Sequence, residues 1–197
     1  MKTRIITKIS KFYFSYEDIA RALGISPSSA RVTANRYVRQ GILVRLKRNL
    51  YMLEERWNAS GTEERFTLAN LIQVPSYISL MTALDYYEIT TQVQRDFYQS
   101  VAVKWTKEVS IENAVFNYTK INKKLYFGFE RLKGFFIATP EKAFLDAMYL
   151  MSLGRYSIDL ASVDTGKLDM VKLRHMSRKF PQKTRNMLEK NEYIKKA

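Results

Sequence analysis

The stretch SYEDIARALGISPSSARVTANRYVRQGILVRLKRNLYML, residues 15–53, decides the fold of the amino-terminal part of this chain. Ser15-Tyr16-Glu17-Asp18 reads as a helix start. The Ser15 hydroxyl can accept from the Asp18 amide, and the carboxylate can answer back while favouring the positive end of the helix. Ile19, Ala20 and Leu23 form the inward stripe. Gly24 ends the helix, because a left-handed residue costs glycine little. Ile25 can plug the core from the turn. Ser26-Pro27 opens a second helix, serine as cap and proline at the first position, where its missing N–H is not needed. That helix runs to about Gln40 and stops at Gly41. Ala30, Thr33, Ala34 and Tyr37 recur at the spacing of one helical face and are expected in the core. Ser28, Ser29, Arg31, Val32, Asn35 and Arg36 fall on the other side, extended by Arg39, and no carboxylate interrupts them.

Helix, tight glycine turn and proline-started helix make a helix-turn-helix, whose second helix reads the major groove of duplex DNA. Ile42–Leu46 and Leu50–Leu53 then read as two short strands around a basic tip, Lys47-Arg48-Asn49, which is a β-hairpin wing. The wing's Lys47 and Arg48 would meet phosphates. Arginine suits guanine, asparagine suits adenine, and Val32 can pack on a thymine methyl. Ser28 and Ser29, beside free amides at a helix start, suit phosphates. Upstream, Ile5, Ile6, Ile9 and Phe12 are spaced as in a helix over residues 2–12.

Charge supports this reading. The 197 residues carry 33 Lys and Arg against 19 Asp and Glu, a net charge of +14. Residues 1–57 hold 12 basic and 4 acidic side chains, residues 58–171 hold 12 and 13, and residues 172–197 hold 9 and 2. Two basic ends flank a neutral middle, and polyanions are the expected partners. Zero Cys excludes disulfides and thiolate sites, and a single histidine, His175, leaves no cluster for a metal or a relay. There is no apolar run long enough to span a membrane, and the basic start lacks the apolar core of a secretory signal, so the cytoplasm is the expected location.

A polar stretch at residues 58–62 suits a linker between a winged helix-turn-helix domain at 1–57 and a second domain at 62–197. In the second domain a short helix is expected over 62–73, then a turn and strand at 74–79. A helix follows at 80–87, capped by Ser79. β-rich runs lie at 98–105, 114–121 and 125–137, the last broken near 130–134. Thr139-Pro140 opens a further helix, with Ala143, Phe144 and Leu145 in the core. Glu141 favours the helix dipole, and Lys142 is expected in solvent. The class is α+β, an antiparallel sheet with flanking helices.

Three segments resemble a known family. VPSYISLMTALDYYEI and FFIATPEKAFLDAMYL are similar to the central motifs of AbiEi-like antitoxins, and the wing ending in LYML is similar to that family's wing. The resemblance runs over about residues 5–155. It departs at Glu88-Ile89, where the family has Gly-Leu, and at Asn49-Leu50, where glycine is common. The resemblance implies a repressor of its own operon; because one helix-turn-helix reads only a half-site, promoter DNA with inverted repeats is the expected partner. It also implies an antitoxin of a type IV abortive-infection system that counters a nucleotidyltransferase-type toxin without a stable complex. Some such proteins act as regulators alone. The alternatives are a stand-alone winged-helix regulator and a protein-interaction module for an acidic partner.

Catalytic machinery is not expected. No carboxylate pair sits beside a Gly-Ser motif and no glycine-rich phosphate loop occurs, so no metal or cofactor is expected either. Asp159, Asp164 and Asp169 are spaced in a polar region and expected in solvent, as is His175. In the basic tail, Pro181 separates two helices. They are expected either to pack with a solvated basic face or to offer a second surface to DNA or RNA phosphates.

Overall fold

The computed structural model describes residue 6 and residues 9–194. It divides into two compact units, Met1–Leu68 and Ala69–Ala197.

In the first unit, α1 (Tyr16–Leu23) starts on a complete capping box between Ser15 and Asp18 and ends at Gly24 with φ 62°. α2 (Pro27–Arg39) is capped by Ser26, whose hydroxyl accepts from the Ser29 amide. β1 (Leu43–Lys47) and β2 (Leu50–Leu53) pair antiparallel as a wing, with a bulge between Arg45 and Lys47. The helix expected over 2–12 lies mostly outside the described residues. Ile6 is helical and buried, whereas residues 9–12 are not helical. Phe14 instead bridges Tyr51, each amide donating to the other's carbonyl at 2.8 and 2.9 Å, and so adds a third rung to the wing. The core gathers Ile6, Phe14, Ile19, Ala30, Ala34, Tyr37, Leu43 and Tyr51. Each large apolar side chain there contributes about 1.5–3 kcal/mol by leaving water. Small Ala30 and Ala34 let α2 approach that core closely. After the wing comes α3 (Glu54–Ala59). Its Arg56 holds the carbonyls of Ile9, Ser10 and Lys11, and its Trp57 is buried beneath the Arg65 guanidinium, 3.5 Å from the ring centroid.

Helix α4 (Thr62–Ile72) carries the chain into the second unit. There follow β3 (Ser76–Ile78), α5 (Leu80–Tyr86), β4 (Phe97–Ala102), β5 (Lys107–Ile111), β6 (Ala114–Lys120), β7 (Phe129–Leu132) and β8 (Phe135–Ala138). The helices α6 (Pro140–Ser152), α7 (Met170–Ser177) and α8 (Gln182–Lys190) complete the unit. The six strands form one sheet in the order β5-β6-β4-β3-β8-β7. Three of its pairings are antiparallel; β4 with β6 and β3 with β8 are parallel. Edge strand β5 is absent from the sequence expectation. In KEVSI only half-buried Val109 and buried Ile111 alternate with exposed residues, too short a pattern to mark a strand by itself.

α6 is buried on almost every side, from Glu141 to Leu150. Here the structure corrects the reading of Lys142, which is 0% exposed. Its Nζ donates to the Tyr77 hydroxyl at 2.8 Å and to Asp146, one helical turn on and equally buried. The other carboxylate oxygen of Asp146 accepts from Tyr77 and from Ser79, both at 2.9 Å. Ser79 is therefore not the side-chain cap of α5. The Lys142 ammonium also lies 5.1–5.4 Å from the ring centroids of Tyr77, Phe127 and Phe180. Gly128 leaves room for its stem, since a Cβ there would come within 3.0 Å of Lys142 Cγ. Burial drives the Lys142 pKa down against the pull of Asp146. Glu141, at the start of the helix, accepts from the Asp169 amide at 3.2 Å.

Asp159, Asp164 and Asp169 are exposed, and each caps the turn or helix that follows it. α7 and α8 pack on α6 through Leu173, Ser177, Phe180, Thr184 and Leu188, with the basic side chains on the solvent side. Tyr87 is half-buried and Val171 is 76% exposed. Among the described residues no helix is long and apolar enough to cross a membrane.

Candidate nucleic-acid interface

The α2 faces separate as their spacing predicts. Ala30, Ala34 and Tyr37 are buried, and Thr33 is half-buried. Ser28, Ser29, Arg31, Val32, Asn35, Arg36 and Arg39 are all exposed, Val32 by 70%. At the helix start, the Ser26 hydroxyl lies 2.9 Å from those of both Ser28 and Ser29, so three hydroxyls cluster at the amino end of the helix. Arg36 lies with its guanidinium 5.4 Å from the Tyr37 ring centroid, and with Arg39 it also complements the carboxyl end of the helix.

Arg31 and Asn35, one turn apart, face the wing. Together with Arg45 and Arg48 of the hairpin, and with Tyr16, Asn49 and Tyr51, they line a cleft of about 410 Å³. Among the described residues no carboxylate lines it. The other expected contact residues (Ser28, Ser29, Val32, Arg36, Arg39 and Lys47) stand outside this cleft on the exposed surface of the same unit. Arg45 is missing from the sequence reading, although strand alternation could have found it. In Leu43–Lys47 the pattern is two buried residues, then exposed Arg45, buried Leu46 and exposed Lys47.

Asn49 explains how the wing meets the helices. It turns the hairpin with φ 57°, a conformation asparagine tolerates better than most residues. Its side-chain oxygen accepts from the Tyr16 amide at 2.9 Å, and its amide donates to Glu17 at 2.9 Å. Hydrogen bonds from Ser15 and then Asn49 hold the Glu17 carboxyl down at about 2. Asp18 is likewise held below the usual carboxylate range, first by Lys11, 2.6 Å away, and then by the Ser15 amide. Among the described residues no group of three or more His, Cys, Asp or Glu comes together as a metal site.

Comparison with known proteins bears on the fold and on the amino-terminal segment. No curated protein matches the chain. Across 95% of this chain and 74% of the other, the fold is similar to the crystal structure of the RV2827C protein from Mycobacterium tuberculosis, with a TM-score of 0.56 and 11% identity. Residues 5–53, which hold both helices and the wing, match the family model described as "Transcriptional regulator, AbiEi antitoxin". Over the segment that holds the two helices and the wing, the chain is thus similar to AbiEi-type transcriptional regulators.

Proposed function

We propose that the protein is a DNA-binding repressor of its own operon and the antitoxin of a type IV toxin–antitoxin pair. In this reading residues 1–57 bind promoter DNA at inverted repeats, and residues 62–197 counter a nucleotidyltransferase-like toxin without forming a stable complex with it. The observation that carries the DNA assignment is the carboxylate-free cleft where Arg31 and Asn35 of α2 meet Arg45 and Arg48 of the wing. A helix entering the major groove would present Arg31, Val32, Asn35 and Arg36 to base edges. Ser28, Ser29, Arg39, Lys47 and Arg48 would hold phosphates on either side and set the register. The antitoxin part rests on the family of residues 5–53 and on the resemblance of the two central motifs.

Gel retardation on the protein's own promoter fragment tests the first part. The binding constant should fall steeply with salt, with a log–log slope of about −0.9 per phosphate contacted. Arg31→Ala combined with Arg36→Ala should remove about 2–6 kcal/mol of specific binding, since each good base contact discriminates by about 1–3 kcal/mol. Both side chains are exposed, so the melting curve should not move. An unchanged shift at equal salt would refute the recognition-helix assignment. Growth on co-expression with the adjacent open reading frame tests the antitoxin part: rescue supports it, and toxicity unaffected by this chain overturns it.

A further inference from the structure

A second concave site lies in the other unit. Arg174 and Ser177 of α7, Arg178 just after its end, and Gln182, Arg185 and Glu189 of α8 line a cleft of about 390 Å³ together with Ile194. Arg174 and Arg178 are one helical turn apart and both exposed, while Arg185 reaches in from the other helix and is half-buried. Among the described residues, no ion pair neutralises any of the three guanidiniums, and Glu189 is the only carboxylate in the lining. Like charges lining one cleft repel one another, and a bound anion would relieve that repulsion.

The site is also partly built. Gln182 donates to the Asn186 side chain at 2.7 Å and accepts from an Arg185 terminal nitrogen, which fixes the fork of Arg185. The Arg185 Nε is buried and has no acceptor among the described residues, which leaves its terminal nitrogens as the part of the fork that can meet a ligand. Underneath, the hydroxyls of Thr184 and Ser152 meet at 3.0 Å, and Leu173 and Leu188 are fully buried, so both helices are held on α6.

We propose that this cleft binds a phosphate monoester, seated by Arg174, Arg178 and Arg185. A monoester carries nearly two negative charges near neutral pH, whereas a nucleic-acid diester carries one. Three converging guanidiniums in a concave site match the dianion, and a duplex backbone would meet only the rim. The monoester can come from a free nucleotide or from the 5′-phosphate end of a nucleic-acid strand.

Calorimetric titration of the full chain tests this with three probes: adenosine 5′-monophosphate, a short single strand bearing a 5′-phosphate, and the same strand with a 5′-hydroxyl. The expected result is that the 5′-phosphate strand binds at least about tenfold tighter than its hydroxyl twin, and that the nucleotide competes with it. Comparable affinity for the nucleotide indicates a nucleotide site, and a much tighter 5′-phosphate strand indicates a strand end. Arg174→Gln with Arg178→Gln should lose the phosphate preference without a change in melting temperature. Arg185→Lys, which keeps the charge but not the fork, should weaken it. The variant carrying Arg31→Ala and Arg36→Ala should retain it, which separates this site from the recognition helix. Equal binding of the two strands, or a preference that survives in the Arg174/Arg178 variant, would overturn the proposal.

Discussion

Replacing Lys142 with methionine tests how this fold holds a charge in its interior. The side chain keeps an apolar stem as far as Cε and loses its ammonium. Asp146 is then left fully buried with two neutral donors, the hydroxyls of Tyr77 and Ser79, both at 2.9 Å. Removing one half of a buried pair strands the other and costs about 3–5 kcal/mol. Asp146→Asn strands the ammonium instead, with the Tyr77 hydroxyl at 2.8 Å and three rings around it, and the cost should be similar. The double variant leaves no unpaired charge. It should be more stable than the sum of the single losses by roughly 2–3 kcal/mol, the coupling expected of residues in one buried network. Urea unfolding of the full chain, followed by far-UV circular dichroism, measures this in the transition of the second unit. Single losses that add within about 0.5 kcal/mol would show that the two charges are not coupled and would refute the reasoning.

Other consequences follow from the backbone and from the carboxylates. Glu88 stands after α5 with φ 56°, its amide bonded to the Asp85 carbonyl and the Ile89 amide to the Leu84 carbonyl. This is the left-handed end of a Schellman motif, so Glu88→Gly should raise stability by about 0.5–1 kcal/mol in thermal unfolding. A decrease would contradict the strain argument. Asn49→Ala loses both side-chain hydrogen bonds and sets an alanine at φ 57°, and should cost about 1–3 kcal/mol. Asn49→Gly, which suits the backbone but not the bonds, should fall between alanine and wild type in the same assay. The carboxyls of Glu17 and Asp18 are held below their unfolded values, so their contribution is complete above those values and is lost as the pH falls. For Glu17 the window runs from 4.5 down to about 2. Acid titration should show Glu17→Gln with a flatter stability profile over that window, and an unchanged profile would argue against the Asn49 and Ser15 bonds.

Much of the first unit was legible because its signals act over a few residues. Ser15 meets Asp18, Ser26 meets Ser29, and Gly24 and Gly41 take up positive φ where a helix must stop. These are contacts within one turn, and the sequence states them directly. The same holds for the two faces of α2, since helical periodicity sorts Ala30, Ala34 and Tyr37 from Arg31, Asn35 and Arg36 without knowledge of what lies opposite.

Other features required the folded chain. Phe14 is a wing strand residue only because Tyr51 is there to pair with it. The apolar alternation of β5 is confined to Val109 and Ile111, and its pairing with β6 is what makes it a strand. Lys142 reads as a surface residue at a helix start, and its burial is decided by Tyr77, 65 positions earlier, and by Asp146 on the next turn. The convergence of Arg174, Arg178 and Arg185 was hidden for the same reason. Sequence alone determined where helices begin, end and turn their apolar sides, because those choices are settled by neighbours along the chain. Tertiary structure decided which charges are buried and which meet across a cleft, because the free energy of a charge depends on whatever surrounds it in space.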